Sequence, residues 1–359
     1  MRLIENKRYL NMLKGLHGDF PHWEKLNGAC VFLSGATGLL GSFLVDAVML
    51  RNEELPAQEQ CRMIAVGRNR ASAERRFGRW MESPALDFIE QDIVVPVSDL
   101  PEKPDYWIHA ASTSHNYAFA TEPINTVLSN VLGTRNILEL VSEQKYGKFL
   151  FVSSGEVYGE NRGDMEYFKE DYCGYLDCNT LRAGYPEAKR LSEALCQAYI
   201  QQNYVDAMII RLPRCYGPTM QEKDSKAAAQ FIQCGVKGTD VVLKSSGEQC
   251  FSFAHVADAV CGMLWVLLAG ETGQAYNLGD QRSDVTLKAL AGIAADHAGT
   301  KVIFDLPNAV EKRGYCPARK TMLDAGKLRA LGWKARYDVQ TGICETIDIL
   351  RELSKEDAR

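Results

Sequence analysis

One stretch narrows what this chain can fold into more than any other. Ala29-Cys30-Val31-Phe32-Leu33-Ser34 is an apolar run of strand length, Gly35-Ala36-Thr37-Gly38-Leu39-Leu40-Gly41 follows at once, and a helical run extends from Ser42 to Asn52. The first peptide N–H groups of a helix lack internal partners and favour an anion. Glycines spaced Gly-x-x-Gly-x-x-Gly allow a tight turn and the close approach of a pyrophosphate to those groups. The context predicts a bound dinucleotide, with Gly35, Thr37, Gly38, Leu39, Leu40 and Gly41 among the residues that hold it. A second strand, Met63 to Val66, ends in Gly67-Arg68-Asn69, where an acidic residue would take the ribose 2′-hydroxyl. That acid is missing. Arg68 would stack on adenine, meet a 2′-phosphate or stand solvated, so NAD is expected while NADP stays open.

The rest of the first half repeats the rhythm. Leu86 to Ile89 and Tyr106 to His109 read as further strands, ending in Gln91-Asp92-Ile93 and Ala110-Ala111-Ser112. A helical run from Ile124 to Gln144 leads to the strand Phe149 to Val152, and a second run, from Tyr185 to about Gln202, leads to the strand Ala207 to Ile210. Strands alternating with helices imply a doubly wound parallel sheet of Rossmann type. Beyond Arg211 the segments shorten, with Pro213, Gly217 and Pro218 as punctuation. Helices are expected near 227–237, 256–268, 287–298 and 338–353, and strands near Val241 and Phe251. The organisation expected is a helical extension over 1–27, a cofactor-binding domain over 28–211 with sheet elements returning at about 253–279, and a smaller substrate lobe from 212–252 and 280–359. Leu3, Tyr9, Leu10, Leu13 and Leu16 give the extension one apolar stripe, to pack on the main domain or on a second subunit.

Composition serves mainly to exclude. With 359 residues, 46% apolar and 24% charged, the chain can bury a large core. A net charge of −5 points to neither nucleic acid nor an acidic membrane as partner. No apolar run approaches membrane-spanning length, Ala259 to Ala269 being the longest candidate. The charged N-terminus has no signal-peptide core. Eleven cysteines lie scattered without a Cys-x-x-Cys or zinc-type spacing, which fits reduced thiols in a cytoplasm and no metal.

Chemistry enters at Arg182-Ala183-Gly184-Tyr185-Pro186-Glu187-Ala188-Lys189. On a helix Tyr185 and Lys189 share a face. A free tyrosine titrates near 10, and a lysine held close is expected to favour the phenolate and make Tyr185 a usable acid/base. Fifteen Tyr and nineteen Lys make roughly 0.8 such pairs by chance, so the pair has weight only in context. That context is Ser153-Ser154-Gly155-Glu156-Val157-Tyr158-Gly159, at the end of the fifth strand. If the chain stays extended there, Ser154 and Glu156 point to one side, into the crevice at the carboxyl ends of a parallel sheet.

Together these residues resemble the extended short-chain dehydrogenase/reductase family of nucleotide-sugar epimerases, dehydratases and decarboxylases. The matches are the Gly35/Gly38/Gly41 turn, Asp92-Ile93, His109-Ala110-Ala111, Asn130-x-x-Gly133-Thr134, Ser154 with Tyr185 and Lys189, Tyr216-Gly217-Pro218, Val256-x-Asp258, Tyr276-Asn277 and Leu331-Gly332-Trp333. The resemblance implies that Tyr185 takes the C4 hydroxyl proton of a nucleotide-diphosphate sugar as hydride leaves for NAD. Lys189 would lower the Tyr185 pKa and bind the cofactor ribose, and Ser154 would hold the reacting oxygen. It adds Arg68, Asp92, Ile93, Ala110, Ala111, Ser112, Asn130 and Pro213 to the cofactor site, and Ser114, Arg182, Arg214 and Arg319 to the substrate site. It also implies a homodimer through the helices that follow Ile124 and Tyr185. Lyase members carry Ser/Thr-x-Glu-Val-Tyr-Gly, with the glutamate, here Glu156, as acid/base. Dehydratases of thymidine-linked glucose have Asp where this chain has Gly155. Glu170-Asp171-Tyr172-Cys173-Gly174, with Arg182 and Tyr185, looks most like the UDP-glucuronate decarboxylases, which however carry an arginine where this chain has Phe251. Arg214 or Arg319 would have to supply that charge. A lyase of dehydratase or decarboxylase type is therefore expected, with a 4-epimerase and a non-catalytic cofactor-binding relative as alternatives.

Overall fold

The alternating strands pair in parallel, and the glycine turn lands where the sheet reverses. The computed structural model of the chain describes residues 2–113, 119, 121–222, 224–305 and 320–357. The first half runs α1 (Lys7–Asp19), β1 (Cys30–Ser34), α2 (Leu39–Asn52), β2 (Arg62–Gly67), α3 (Arg70–Phe77), β3 (Leu86–Glu90), β4 (Tyr106–His109), α4 (Pro123–Gln144), β5 (Lys148–Ser154), α5 (Gly184–Asn203) and β6 (Asp206–Leu212). The second half runs β7 (Arg214–Tyr216), α6 (Ala227–Lys237), β8 (Val241–Leu243), β9 (Cys250–His255), α7 (Val256–Ala269) and β10 (Ala275–Asn277). It ends with β11 (Asp284–Thr286), α8 (Leu287–Ala298), β12 (Val302–Phe304), β13 (Lys320–Thr321), α9 (Gly326–Ala330) and α10 (Val339–Asp357).

Seven strands stand in the order β10-β6-β5-β4-β1-β2-β3, and each neighbouring pair is parallel. From β1 the chain builds outward through β2 and β3, then returns to place β4 on the other side of β1. The crevice above the carboxyl ends of β1 and β4 is thus the switch point where such sheets bind ligands. Strand alternation supplies both layers. Val31 and Leu33 of β1 join one core with Leu44 and Val48 of α2 and with Val260, Leu264 and Leu267 of α7. Cys30 and Phe32 face the other core, with Ile137, Leu138 and Val141 of α4 and Cys196 of α5.

The N-terminal extension packs on the main domain, since α1 buries Tyr9, Met12, Leu13 and Leu16 against α2 and α7. Its Tyr9 hydroxyl donates to the buried Asp46 of α2 at 2.6 Å, and Arg76 and the Trp80 indole complete the carboxylate's partners. Two elements differ from the sequence reading. Helix α2 begins at Leu39 rather than Ser42, so its N-terminus lies within the glycine turn. Of the segments expected to return to the main sheet, Ala275–Asn277 does so, whereas Cys250–His255 lies in a small sheet with β11, β13 and β7. That sheet has its own core, where Phe251 and Phe253 meet Phe231, Ile232, Leu290, Ile343 and Ile347. Among the described residues no helix is long and apolar enough to cross a membrane.

Candidate active site

The glycine turn is shaped by close contacts that leave no room for side chains. Gly35 has φ +77°, and a Cβ there would lie 2.7 Å from the Ala111 nitrogen at the end of β4. A Cβ on Gly41 would stand 2.3 Å from the Gly35 carbonyl oxygen, so only glycine lets α2 start this tightly. Gly38 caps α2 without a side-chain acceptor, which leaves the first helical N–H groups, from Leu39 onward, for an anion. Thr37 stands beside the end of β2, its Oγ1 3.5 Å from where a Gly67 Cβ would be. The Phe88 ring comes to 3.1 Å of that same point, so a side chain at this strand end would press on the ring. Arg68 is exposed. This cradle fits the pyrophosphate of a dinucleotide.

The end of β4 closes the cradle. The buried Ser34 Oγ lies within hydrogen-bond distance of His109 Nδ1, at 2.7 Å, and accepts from the Ala111 N–H at 3.4 Å. Burial and then the Lys189 charge hold that imidazole down to about 3, and it is neutral at any physiological pH. Ser112 donates to Asn130 Oδ1 at 2.9 Å, joining the strand end to α4. Ile93 packs on Gly133 of α4, Asn136 donates to the Ile93 carbonyl at 3.0 Å, and Asp92 accepts from the Val94 N–H at 3.1 Å. Pro213 lies just beyond β6, next to β7.

The expectation of an extended chain after Ser154 is not met. Gly155–Tyr158 forms a 3₁₀ turn, and Ser154 Oγ accepts from the Glu156 N–H at 3.2 Å. A serine hydroxyl offers the backbone this local alternative to a strand. The turn nevertheless brings Glu156 to the site, where both its oxygens lie 2.8 Å from Arg182 Nη2. The Arg182 guanidinium lies 4.7 Å from the centre of the Phe119 ring, which stacks on Tyr185 at 4.9 Å.

Tyr185 is buried, and its electrostatics differ from those expected. Burial raises the phenol well above the ordinary tyrosine value and the Glu156 carboxylate raises it further, while hydrogen bonds with Ser154 and Ser112 and the Arg182 charge act the other way. Lys189 shares the Tyr185 face, as the spacing requires, with Nζ 6.0 Å from the ring centre. Its ammonium donates to the Val152 carbonyl at 2.9 Å and is brought by burial down to about 7. A cation acting on the phenol is Arg182, which the sequence reading had placed with the substrate.

Arg214 stacks on Phe251, its guanidinium carbon 3.5 Å from the ring centre. The small sheet brings the two together, because Arg214 of β7 pairs with Phe253 of β9. Ser114 and Arg319 lie outside the described residues. The sequence reading also missed Ser34, Phe119, Glu193 and Arg211. Glu193 had a readable signal, one helical turn beyond Lys189; the others depend on contacts between distant segments. Among the described residues no group of three or more His, Cys, Asp or Glu is placed to hold a metal.

Known proteins share this sequence pattern and this fold. A model of the NAD dependent epimerase/dehydratase family matches residues 31–279. UDP-glucuronic acid decarboxylase 1 of Danio rerio is 28% identical over 329 residues, spanning 91% of this chain and 74% of that protein. UDP-glucuronic acid decarboxylase 3 of Arabidopsis thaliana is 26% identical over 314 residues, spanning 87% of this chain and 86% of that protein. Among solved structures, UDP-glucuronic acid 4-epimerase from Bacillus cereus aligns with a TM-score of 0.76 at 19% identity, over 90% of this chain and 99% of its own. A dTDP-glucose 4,6-dehydratase from Streptomyces venezuelae aligns with a TM-score of 0.73 at 23% identity, over 91% and 98%. At such identities the structural likeness is one of fold.

Proposed function

Because the chain belongs to the NAD-dependent epimerase/dehydratase family, we propose that it is a nucleotide-sugar lyase working through a 4-keto intermediate, with a UDP-uronic acid as substrate and carbon dioxide as the group lost. One observation carries the reading: the Tyr185 phenol is hydrogen-bonded to Ser154 and Ser112, with Glu156 and Arg182 acting on it electrostatically. The residues of the Gly35–Gly41 turn, Ala110 to Ser112 and Lys189 would hold the cofactor. NAD, when bound, accepts the C4 hydride and later returns it, and its charged ring favours a neighbouring phenolate. Tyr185 takes the C4 hydroxyl proton while Ser154 holds that oxygen in place. The C4 ketone is then β to the C6 carboxylate. The electrons of the C5–C6 bond pass to the ketone as carbon dioxide leaves, and C5 gains a proton from Glu156 or a water it holds. Tyr185 returns its proton to the C4 oxygen when the ketone is reduced.

Two features favour decarboxylation over dehydration. Gly155 provides no acid, and its open side faces Leu323, whose Cδ1 is 3.2 Å from the position of a Cβ. Arg214, its guanidinium carbon 3.5 Å from the centre of the Phe251 ring, would supply the charge that the decarboxylases carry as an arginine at that place in the sequence. Epimerisation is the second reading, favoured by the Arg182 pairing of Glu156, since an epimerase needs no base at C5. We assign 28–211 to cofactor binding and 212–252 with 280–359 to the sugar nucleotide. The described cysteines are all unpaired, in keeping with a reducing, cytoplasmic setting. Incubation with UDP-glucuronate and NAD tests the proposal. A UDP-pentose with release of carbon dioxide is expected, whereas C4 inversion with the carboxylate retained would replace it by the epimerase reading.

A further inference from the structure

Successive residues of a strand point to opposite faces, so Ser153 turns away from the side that Ser154 serves. Its hydroxyl donates to Glu193 Oε1 at 2.6 Å. Glu193 lies on α5 one turn beyond Lys189 and is only 9% exposed. Its carboxylate also takes Arg211 of β6, with Nη2 at 2.7 Å and Nε at 3.0 and 3.3 Å. Arg211 in turn donates to the Tyr158 hydroxyl at 2.8 Å and the Glu170 carbonyl at 2.7 Å. Val152 and Ser153, consecutive on β5, are therefore held by Lys189 and Glu193, one turn apart on α5.

The groups facing Lys189 are mostly neutral. Its own helix presents the Tyr185 phenol and the Cys196 thiol, both pushed up by burial. From β4 comes the neutral His109, and from β5 the Phe151 ring, 4.8 Å from Nζ. Such surroundings favour loss of the ammonium proton. Among the described residues, the charge that opposes this most is that of Glu193.

We propose that Glu193 is a positioning residue of this site: its carboxylate ties the strand end carrying Ser154 to the helix carrying Tyr185 and Lys189, and its negative charge, one helical turn from Lys189, favours the ammonium form of that lysine. The proposal rests on the roles given above to Tyr185 and Lys189, but its first test needs no turnover. In protein labelled at lysine Cε with ¹³C, the Lys189 signal is assigned by its loss in Lys189→Arg and titrated in parent and Glu193→Gln. Removing the charge should move that titration down by about one pH unit. The alkaline limb of kcat should move with it, giving about tenfold less turnover at a fixed pH on the limb. Glu193→Asp keeps the charge but retracts it, and should shift both in the same direction by less. It carries the test alone should Glu193→Gln fail to fold. An unmoved Lys189 titration overturns the inference whatever the activity does. A moved titration with an unmoved kcat limb supports the hold of Glu193 on Lys189 and counts instead against the role of Lys189 in turnover.

Discussion

A tyrosine that accepts a proton near neutrality must become a phenolate, and burial works against it. Tyr185 is buried and faces the Glu156 carboxylate, so the resting site holds a phenol, and its hydrogen bonding with Ser154 and Ser112 and the Arg182 charge are what favour ionisation. Tyr185→Phe should fold and bind NAD but lose sugar oxidation by about 10²–10⁴-fold, the usual contribution of a general acid/base; activity close to the parent's would remove Tyr185 from the mechanism. Glu156→Gln should part the steps differently. It takes a negative charge away from the phenol, so reduction of bound NAD, followed near 340 nm, should survive while carbon dioxide release slows. If both steps run at the parent's rate, Glu156 has no part after oxidation. The pairing of Tyr185 with Lys189 on one face was legible because helical spacing alone produces it, while the partners that set the phenol's charge come from the loop after β4, the end of β5, the 3₁₀ turn and the residues before α5.

At the scale of elements, the glycine turn and the 3₁₀ turn teach opposite lessons. The first was readable because its constraint is local: Gly41 is required by the carbonyl of Gly35, six residues earlier. Gly41→Ala should push the first turn of α2 off this contact and weaken NAD binding by about tenfold or more, equivalent to about 1.4 kcal/mol, as measured by cofactor titration. Gly292→Ala is the contrasting case, inside α8 with nothing within 4 Å of its Cβ position. It should raise thermal stability by roughly 0.5–1 kcal/mol and leave NAD binding untouched. Equal effects at both positions would mean that helix propensity, not contact, governs Gly41. The second turn escaped the strand reading because the chain beyond Ser154, the last residue of β5, was expected to stay extended. Its hydroxyl instead caps the next turn, a choice that short polar side chains commonly offer the backbone.

At the scale of the molecule, α4 and α5 pack side by side and leave apolar side chains outward. Ile124 and Leu128 of α4, Leu191 of α5 and the neighbouring Leu181 are exposed, where a lone soluble chain gains nothing by showing them. A homodimer across these helices is expected, and light scattering at micromolar concentration should return twice the mass of the 40.0 kDa chain. Leu128→Glu with Leu191→Glu should halve it; a parent that is already monomeric would rule out this interface. What the sequence determined by itself was everything governed over a few residues: the alternation of strand and helix, the glycine cradle, the shared face of Tyr185 and Lys189, and with them the family. Tertiary structure alone decided which polar groups meet. His109 and Ser34 stand 75 residues apart in the chain and Ser153 and Glu193 forty, yet both pairs are within hydrogen-bond distance. The guanidinium that lies on Phe251 likewise comes from another strand. The reason is physical, since burial and Coulomb interaction depend on distance in space, which the order of residues along a chain does not encode.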